Sequence, residues 1–174
     1  EVVSKVPDAQ VCADLDAAVA FAGASGRGDV QRVGLVGWCW GGRTAWIYAK
    51  HNPKLKAAVA YYGGGIHGAR NEKPTVPTQL HFGDKDMHIP MTHVNELRSL
   101  HPGVAIYDYP ADHGFHCDER GSWDAPASKQ AMARTLEFFG KLQNQEYRST
   151  LPIPALNNIQ TRNRGCKLYL RLPS

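Results

Sequence analysis

Residues 32–46, RVGLVGWCWGGRTAW, decide the fold of this 174-residue chain. They begin with a short apolar run, rich in valine, that predicts a buried strand over 32–38. One cysteine between two tryptophans follows, and after it the apolar residues return at helical spacing over 41–51. The stretch therefore predicts a strand, a tight turn that carries Cys39, and a helix.

The same alternation of strand and helix continues along the chain. We predict further strands at 55–62, 75–82 and 103–110, and further helices at 14–26, 90–100 and 125–142. On the last helix, Met132, Leu136 and Phe139 form one apolar stripe that we expect to face the sheet. Continuous apolar strands separated by helices are typical of a parallel sheet covered on both faces. The chain is therefore predicted to have an α/β fold.

Residues with chemical function follow each predicted strand. Cys39 follows the first strand, the glycines of GGGIHG (63–68) the second, Asp84 and Asp86 the third, and His113 the fourth. Parallel strands place their carboxyl ends, where ligands bind, at one edge of the sheet. The glycines match a dinucleotide-binding pattern, but no helix follows to receive a pyrophosphate, so we interpret them as the lip of a pocket. We expect these residues to meet at one site.

The segment GWCWG, residues 37–41, fits the nucleophile elbow, a strained turn between strand and helix that exposes a reactive atom. Gly37 and Gly41 are expected to leave room for the crossing backbone. The N-terminus of the following helix points at the sulfur of Cys39 and favours its thiolate form. The turn therefore predicts an activated nucleophile.

Such a nucleophile needs a base and an acid that orients the base, in the chain order nucleophile, acid, histidine. Cys39, Asp86 and His113 come in that order. Asp84 is an alternative acid, and Asp86 could instead cap a helix. The residues alone therefore predict a cysteine triad and leave its acid open.

Three separated motifs resemble those of the dienelactone hydrolase (carboxymethylenebutenolidase) family: VGWCWGGRTAW, HFGDKDMHIP and YPADHGFHCDERGSWDAPASKQAMARTLEFF. The resemblance covers residues 12–143 and implies an α/β-hydrolase-type parallel sheet with helices on both faces. It also implies that Cys39 is the nucleophile, Asp86 the orienting acid and His113 the general base. The implied reaction is hydrolysis of an ester or lactone through a thioester, with the backbone N–H of Trp40 as one oxyanion donor.

The chain departs from the family pattern in its upstream part and near the histidine. Family members carry an upstream half with several strands, a second oxyanion donor and a glutamate near the thiol, and nothing before residue 12 resembles it. We therefore expect a partial domain over 1–147 that lacks its N-terminal strands and has impaired activity. The enzyme that names the family has a substrate-binding arginine where this chain has Cys117. We expect Arg120 to replace that arginine and Tyr62 to line the substrate pocket.

A different class of function stays open. Without upstream neighbours, the strand over 32–38 would expose unpaired backbone groups at a sheet edge. The alternative to a hydrolase is therefore a catalytically silent fragment that acts as an interaction module. Self-association through the exposed edge is one form of that interaction.

Composition limits the remaining partners. Residues 148–174 hold five basic residues and no acidic one, and we expect a weakly ordered tail that binds no nucleic acid. No membrane span or signal sequence is recognisable, and the four scattered cysteines predict free thiols in the cytoplasm. The expected substrate is a small-molecule ester or lactone, with no cofactor and no metal. A metal or redox site at His116 and Cys117 is the alternative.

Overall fold

The computed structural model describes residues 5–147 and 166–170 of the chain. Its elements are α1 (Asp8–Ala24), β1 (Val33–Trp38), α2 (Trp40–His51), β2 (Ala57–Tyr61), β3 (Thr78–Gly83), α3 (Met91–Leu100), β4 (Ala105–Tyr109), α4 (Ala125–Tyr147) and β5 (Cys166–Leu170), with a 3₁₀ turn at His67–Ala69. All eight predicted elements are present. The first helix begins at Asp8 instead of Asp14, directly after Pro7, whose extended backbone (ψ 143°) cannot belong to it.

The strands form one sheet in the order β4-β3-β2-β1-β5. Strands β1 to β4 are parallel to one another, as the sequence predicts. Every residue of β2 and β3 is buried, which is expected for parallel strands covered on both faces. The carboxyl ends of four strands therefore meet at one edge. In the described part of the chain, no helix is long and apolar enough to span a membrane.

The edge of β1 is not open, contrary to the sequence-based expectation. β5 pairs with it in antiparallel orientation, from Val33 opposite Leu170 to Gly37 opposite Cys166. This pairing satisfies backbone groups that an edge strand would otherwise expose. The rest of the predicted tail, 148–165 and 171–174, lies outside the described residues. Self-association through a sheet edge stays a prediction.

The face that α4 turns to the sheet differs from the predicted stripe. Leu136 is 48% exposed, whereas the buried positions of this helix between 125 and 141 carry small or hydroxylated side chains: Ala127, Ser128, Ala131 and Thr135. The hydroxyl of Thr135 lies 2.7 Å from that of Tyr61 and 3.2 Å from Nε2 of His81. Only a small polar side chain can meet both groups, since large rings already fill this face of the sheet. Of the predicted stripe, Phe139 does pack on the core.

Those rings form a row across the sheet. Trp38, Tyr61, His81 and Tyr107 lie opposite one another on successive strands, with adjacent ring centroids 4.6–5.6 Å apart. His81, at the centre, is fully buried and bonds through Nδ1 to the Tyr109 hydroxyl at 2.8 Å. Burial lowers its pKa to about 3, so the ring is neutral at physiological pH. The row stabilises the sheet beneath the carboxyl-terminal edge.

Candidate active site

Cys39 occupies a strained turn between β1 and α2. Its backbone has φ 55° and ψ −117°, a region that residues with a side chain rarely adopt. The surrounding chain fixes this conformation, because the Cys39 N–H donates to the Tyr61 carbonyl at 3.0 Å and its carbonyl accepts the Gly42 N–H at 3.0 Å. The turn therefore holds the sulfur at the carboxyl-terminal edge of the sheet, as predicted.

Two glycines make this turn sterically accessible. A Cβ on Gly37 would lie 1.8 Å from the carbonyl oxygen of Gly41, so no other residue fits at this position. A Cβ on Gly42 would lie 2.8 Å from the carbonyl oxygen of Tyr61 and 2.9 Å from Cα of Gly63. The sequence analysis missed the need for Gly42, although the second glycine of GWCWGG was a visible signal.

His113 bridges the cysteine and a buried carboxylate. Its Nε2 lies 3.3 Å from the Cys39 sulfur, and its Nδ1 lies 2.6 Å from Oδ2 of Asp86, which as a carboxylate can only accept the proton. The Asp86 side chain has no exposed surface and the His113 side chain is 13% exposed. The structure thus brings together the three residues that the sequence selected for a triad.

The choice between the two aspartates follows from the loop after β3. Asp84 is exposed, whereas Asp86 is buried and also accepts the His88 backbone N–H at 2.8 Å. The alternative interpretation of Asp86 as a helix cap is wrong, because Pro90 occupies that position on α3 and no side chain caps it. Asp86 therefore faces the histidine and Asp84 does not.

The electrostatics of the bridge favour an ion pair. The hydrogen bond to His113 lowers the pKa of the Cys39 thiol; the imidazolium charge, the Trp40 backbone N–H and the charge of Arg120 also lower it, while burial opposes them. The hydrogen bond to Cys39 raises the pKa of His113, and Asp86 raises it further. Both shifts favour a thiolate beside an imidazolium, the reactive form of a cysteine nucleophile.

The predicted substrate-binding residues take different places. Arg120 is exposed and lies over Gly114, where an added Cβ would be 3.0 Å from Cδ of the arginine. Tyr62 is only 3% exposed, and its ring centroid lies 5.1 Å from that of His113 and 5.3 Å from that of Phe115. Tyr62 thus packs against the imidazole of His113, while Arg120 is exposed to solvent. Their roles toward a substrate stay predictions.

The alternative metal site does not form around His116. Its Nδ1 lies 2.5 Å from the Ser128 hydroxyl, and its ring stacks on Tyr61 with centroids 4.7 Å apart. Among the side chains that the structure describes, no group of three or more His, Cys, Asp or Glu could hold a metal ion. His116 therefore packs on the aromatic row instead of joining Cys117 in a ligand set.

Sequence reasoning missed His88. Its ring meets that of His113 edge-on, with centroids 5.5 Å apart, and its backbone N–H donates to Asp86. The signal was its position in HFGDKDMHIP, two residues after the acid. His88 thus adjoins two members of the candidate triad.

Comparisons with known proteins agree with this geometry. The family model of the dienelactone hydrolase family matches residues 1–143. A Methylorubrum extorquens protein named "Putative carboxymethylenebutenolidase" is 40% identical, over 80% of this chain and 53% of that protein. The chain spans little more than half the length of the curated relatives it matches.

Solved structures show the same fold. The crystal structure titled "Putative Dienelactone Hydrolase" from Klebsiella pneumoniae has a TM-score of 0.74 and 39% identity, covering 80% of this chain and 64% of that one. An alpha/beta hydrolase enzyme from a sediment metagenome, MGS-MChE2, is 15% identical with a TM-score of 0.56 and covers 82% of this chain and 73% of that one. The second likeness concerns the fold alone, which is that of α/β hydrolases.

Proposed function

Because the chain belongs to the dienelactone hydrolase family, we propose that the protein hydrolyses a carboxylic ester or lactone with Cys39 as nucleophile. In this proposal His113 is the general base and acid, and Asp86 orients its ring. The observation that carries the proposal is the bridge formed by His113, 3.3 Å from the sulfur and 2.6 Å from the carboxylate. Hydrogen-bond contact between nucleophile, base and orienting acid is what covalent catalysis requires.

Acylation begins from the ion pair. The Cys39 thiolate attacks the substrate carbonyl carbon, and the electron pair of the C=O bond moves onto the oxygen. The backbone N–H of Trp40 donates to this oxyanion at the start of α2, where the helix dipole also favours negative charge. The intermediate then collapses to a thioester, and the departing alkoxide takes the proton from Nε2 of His113.

Deacylation uses the same residues in reverse. Neutral His113 accepts a proton from water at Nε2 while the water oxygen attacks the thioester carbonyl. The second tetrahedral intermediate expels the Cys39 thiolate, which leaves the carboxylic acid product and restores the ion pair. With a lactone the alcohol stays attached to the acyl chain, so the product is a single hydroxy acid.

Arg120 is proposed to bind an anionic group of the substrate. Arg120 is exposed to solvent, and its charge contributes to the lowered pKa of Cys39. A charge that stabilises the thiolate also attracts a carboxylate that approaches the same edge. Tyr62, behind the His113 ring, is proposed to limit the pocket on that side.

The cysteines support a reducing compartment. Cys12, Cys39 and Cys117 are free thiols in the structure. A nucleophilic thiol stays active only where it is kept reduced. We therefore retain the cytoplasm as the proposed location.

The test is hydrolysis of p-nitrophenyl acetate by the protein and by Cys39→Ala. We expect the variant to lose all activity above background, whereas Cys12→Ala, which changes a buried cysteine on α1, keeps it. Acid quenching during turnover should trap the acetyl group on the peptide that contains Cys39, as detected by mass spectrometry. An unchanged rate in Cys39→Ala, or an acyl group on another residue, would refute the nucleophile.

A further inference from the structure

A cavity of about 240 Å³ borders the candidate triad. It lies between the loop 63–68 and α3, and its lining includes Gly63, which packs on the elbow, and His88, which contacts the triad histidine. Gly63, on one side, packs against Gly42 of the elbow, with Cα of Gly63 2.9 Å from where a Gly42 Cβ would be. His88, on the other side, meets the ring of His113. The cavity therefore adjoins the candidate triad through His88, although no member of the triad lines it.

The cavity has an apolar floor and a polar wall. Ile66, Phe82 and Leu97 supply the floor and are almost completely buried. Three histidines, His67, His88 and His93, supply the wall. Pockets with a few polar groups over an apolar base are typical of small-molecule sites. Because this volume is below the range of complete ligand pockets, it accommodates one ring-sized part of a larger substrate.

The histidines are arranged to receive a planar polar group. His67 bonds through Nε2 to Glu96 at 2.5 Å, and its ring stacks flat on that of His93, with centroids 3.8 Å apart and an interplanar angle of 3°. The rings of His88 and His93 contact other rings, and their nitrogens have no hydrogen-bond partner in the described part of the chain. Each neutral imidazole offers one donor and one acceptor.

The charges near the cavity select the kind of polar group. Its lining includes no lysine or arginine. Glu96, an acid beside the cavity, pairs with His67 and with Arg70, whose Nε lies 2.9 Å from the carboxylate. The two arginines beside the lining, Arg43 and Arg70, are already paired with Asp8 and Glu96, so a carboxylate in this cavity would meet no unpaired arginine. A phenolic hydroxyl carries no charge and both donates and accepts, as the imidazoles do.

We propose that this cavity binds a hydroxylated aromatic ring, so that the protein acts on esters whose acyl or alcohol part is phenolic. The ring packs on Phe82 and Leu97 and against the imidazole of His88, and its hydroxyl bonds to His93. The assignment of phenolic esters as substrates rests on the proposed hydrolase function, whereas binding of a phenolic ring in the cavity can be tested without turnover.

The experiment titrates the unmodified protein with phenol while the ¹³C–¹H signals of its histidine rings are recorded by NMR. We expect saturable shifts of the His88 and His93 signals, and no comparable shifts with benzoate or cyclohexanol at equal concentration. His93→Leu should weaken phenol binding about three- to tenfold, as the loss of one hydrogen bond implies. His51→Leu, which changes an exposed histidine on α2, is the matched control and should leave binding unchanged.

Three results would overturn the proposal: no saturable shift of His88 and His93, tighter binding of benzoate than of phenol, or equal weakening by His93→Leu and His51→Leu. Ester hydrolysis is measured separately on the same protein. Phenol binding without hydrolysis would refute the proposed function and leave the cavity assignment intact, whereas hydrolysis without phenol binding would refute only the cavity.

Discussion

Oδ2 of Asp86 lies 2.6 Å from Nδ1 of His113, and the Asp86 side chain has no solvent-exposed surface. A charged hydrogen bond of this kind fixes both the ring orientation and the proton position, since the carboxylate can only accept. The other ring nitrogen must then face the Cys39 sulfur. The loop after β3, which carries Asp86, and the loop after β4, which carries His113, thus orient the histidine for proton transfer at Nε2.

Asp86→Asn is expected to lower kcat for p-nitrophenyl ester hydrolysis by about a hundredfold to ten-thousandfold. The amide can donate to Nδ1 and thereby stabilise the wrong histidine tautomer, and it removes a charge that raises the pKa of His113. Steady-state kinetics measure the effect. Asp84→Asn, which changes an exposed carboxylate two residues away, should stay within about twofold of the original rate; equal losses in both variants would contradict the role of Asp86.

Alkylation by iodoacetamide should report the thiolate of Cys39. The hydrogen bond to His113 lowers the pKa of this thiol, so its reaction should persist to lower pH than that of an ordinary thiol, whose pKa is about 8.5. His113→Ala should shift the pH profile of alkylation upward. Peptide mapping separates Cys39 from Cys12, whose pKa is raised by burial and which should react slowly. An identical profile in His113→Ala would contradict the ion pair.

The order of the site residues was predictable because each follows a strand of a parallel sheet. Continuous apolar runs identify such strands locally, and parallel connections place their carboxyl ends together whatever the details of packing. The elbow could also be predicted from a short stretch of sequence, because the glycines that permit the turn lie close to Cys39 in the chain. The fold of 32–110 and the meeting of Cys39 and His113 therefore followed from pattern and order, whereas the choice of Asp86 over Asp84 came from the family resemblance.

Long-range packing was not predictable in this way. The sequence predicts only a weakly ordered tail over 148–174, because the pairing of 166–170 with β1 depends on a partner far away in the chain. Leu136 is exposed because the sheet face beneath α4 presents the polar ends of Tyr61 and His81, which require Thr135. The periodicity of α4 alone carries no information about the side chains of the sheet on which the helix packs. Cross-element contacts, not local propensity, decided these positions.

Gly37→Ala should prevent the elbow from forming. Its Cβ would lie 1.8 Å from the carbonyl oxygen of Gly41, a backbone atom that cannot move without displacing α2. We expect a loss of more than about 3 kcal/mol in the free energy of unfolding, or an insoluble product. Urea denaturation followed by circular dichroism measures it. Gly121→Ala is the control, because no atom lies within 4 Å of its added Cβ, and a comparable loss there would contradict the steric argument.

His81 should make the fold sensitive to acid. Burial lowers its pKa to about 3, whereas in the unfolded chain it is about 6.5, so between these values the unfolded state binds more protons. The free energy of unfolding should therefore fall as pH falls below 6.5, by up to about 1.4 kcal/mol per pH unit from this one group. Urea denaturation between about pH 5.3 and 6.5 measures the slope while the carboxylates remain largely ionised.

The variant that isolates this effect is His81→Gln, which keeps hydrogen-bonding groups near Tyr109 and Thr135 but does not titrate. It should be less stable at pH 7 and should show a flatter dependence on pH than the original chain. His113 has the opposite sign, because its raised pKa adds stability that is lost as pH rises through the folded-state value. The comparison is therefore made in a His113→Ala background, and an unchanged slope in His81→Gln there would mean that protonation of another group destabilises the fold.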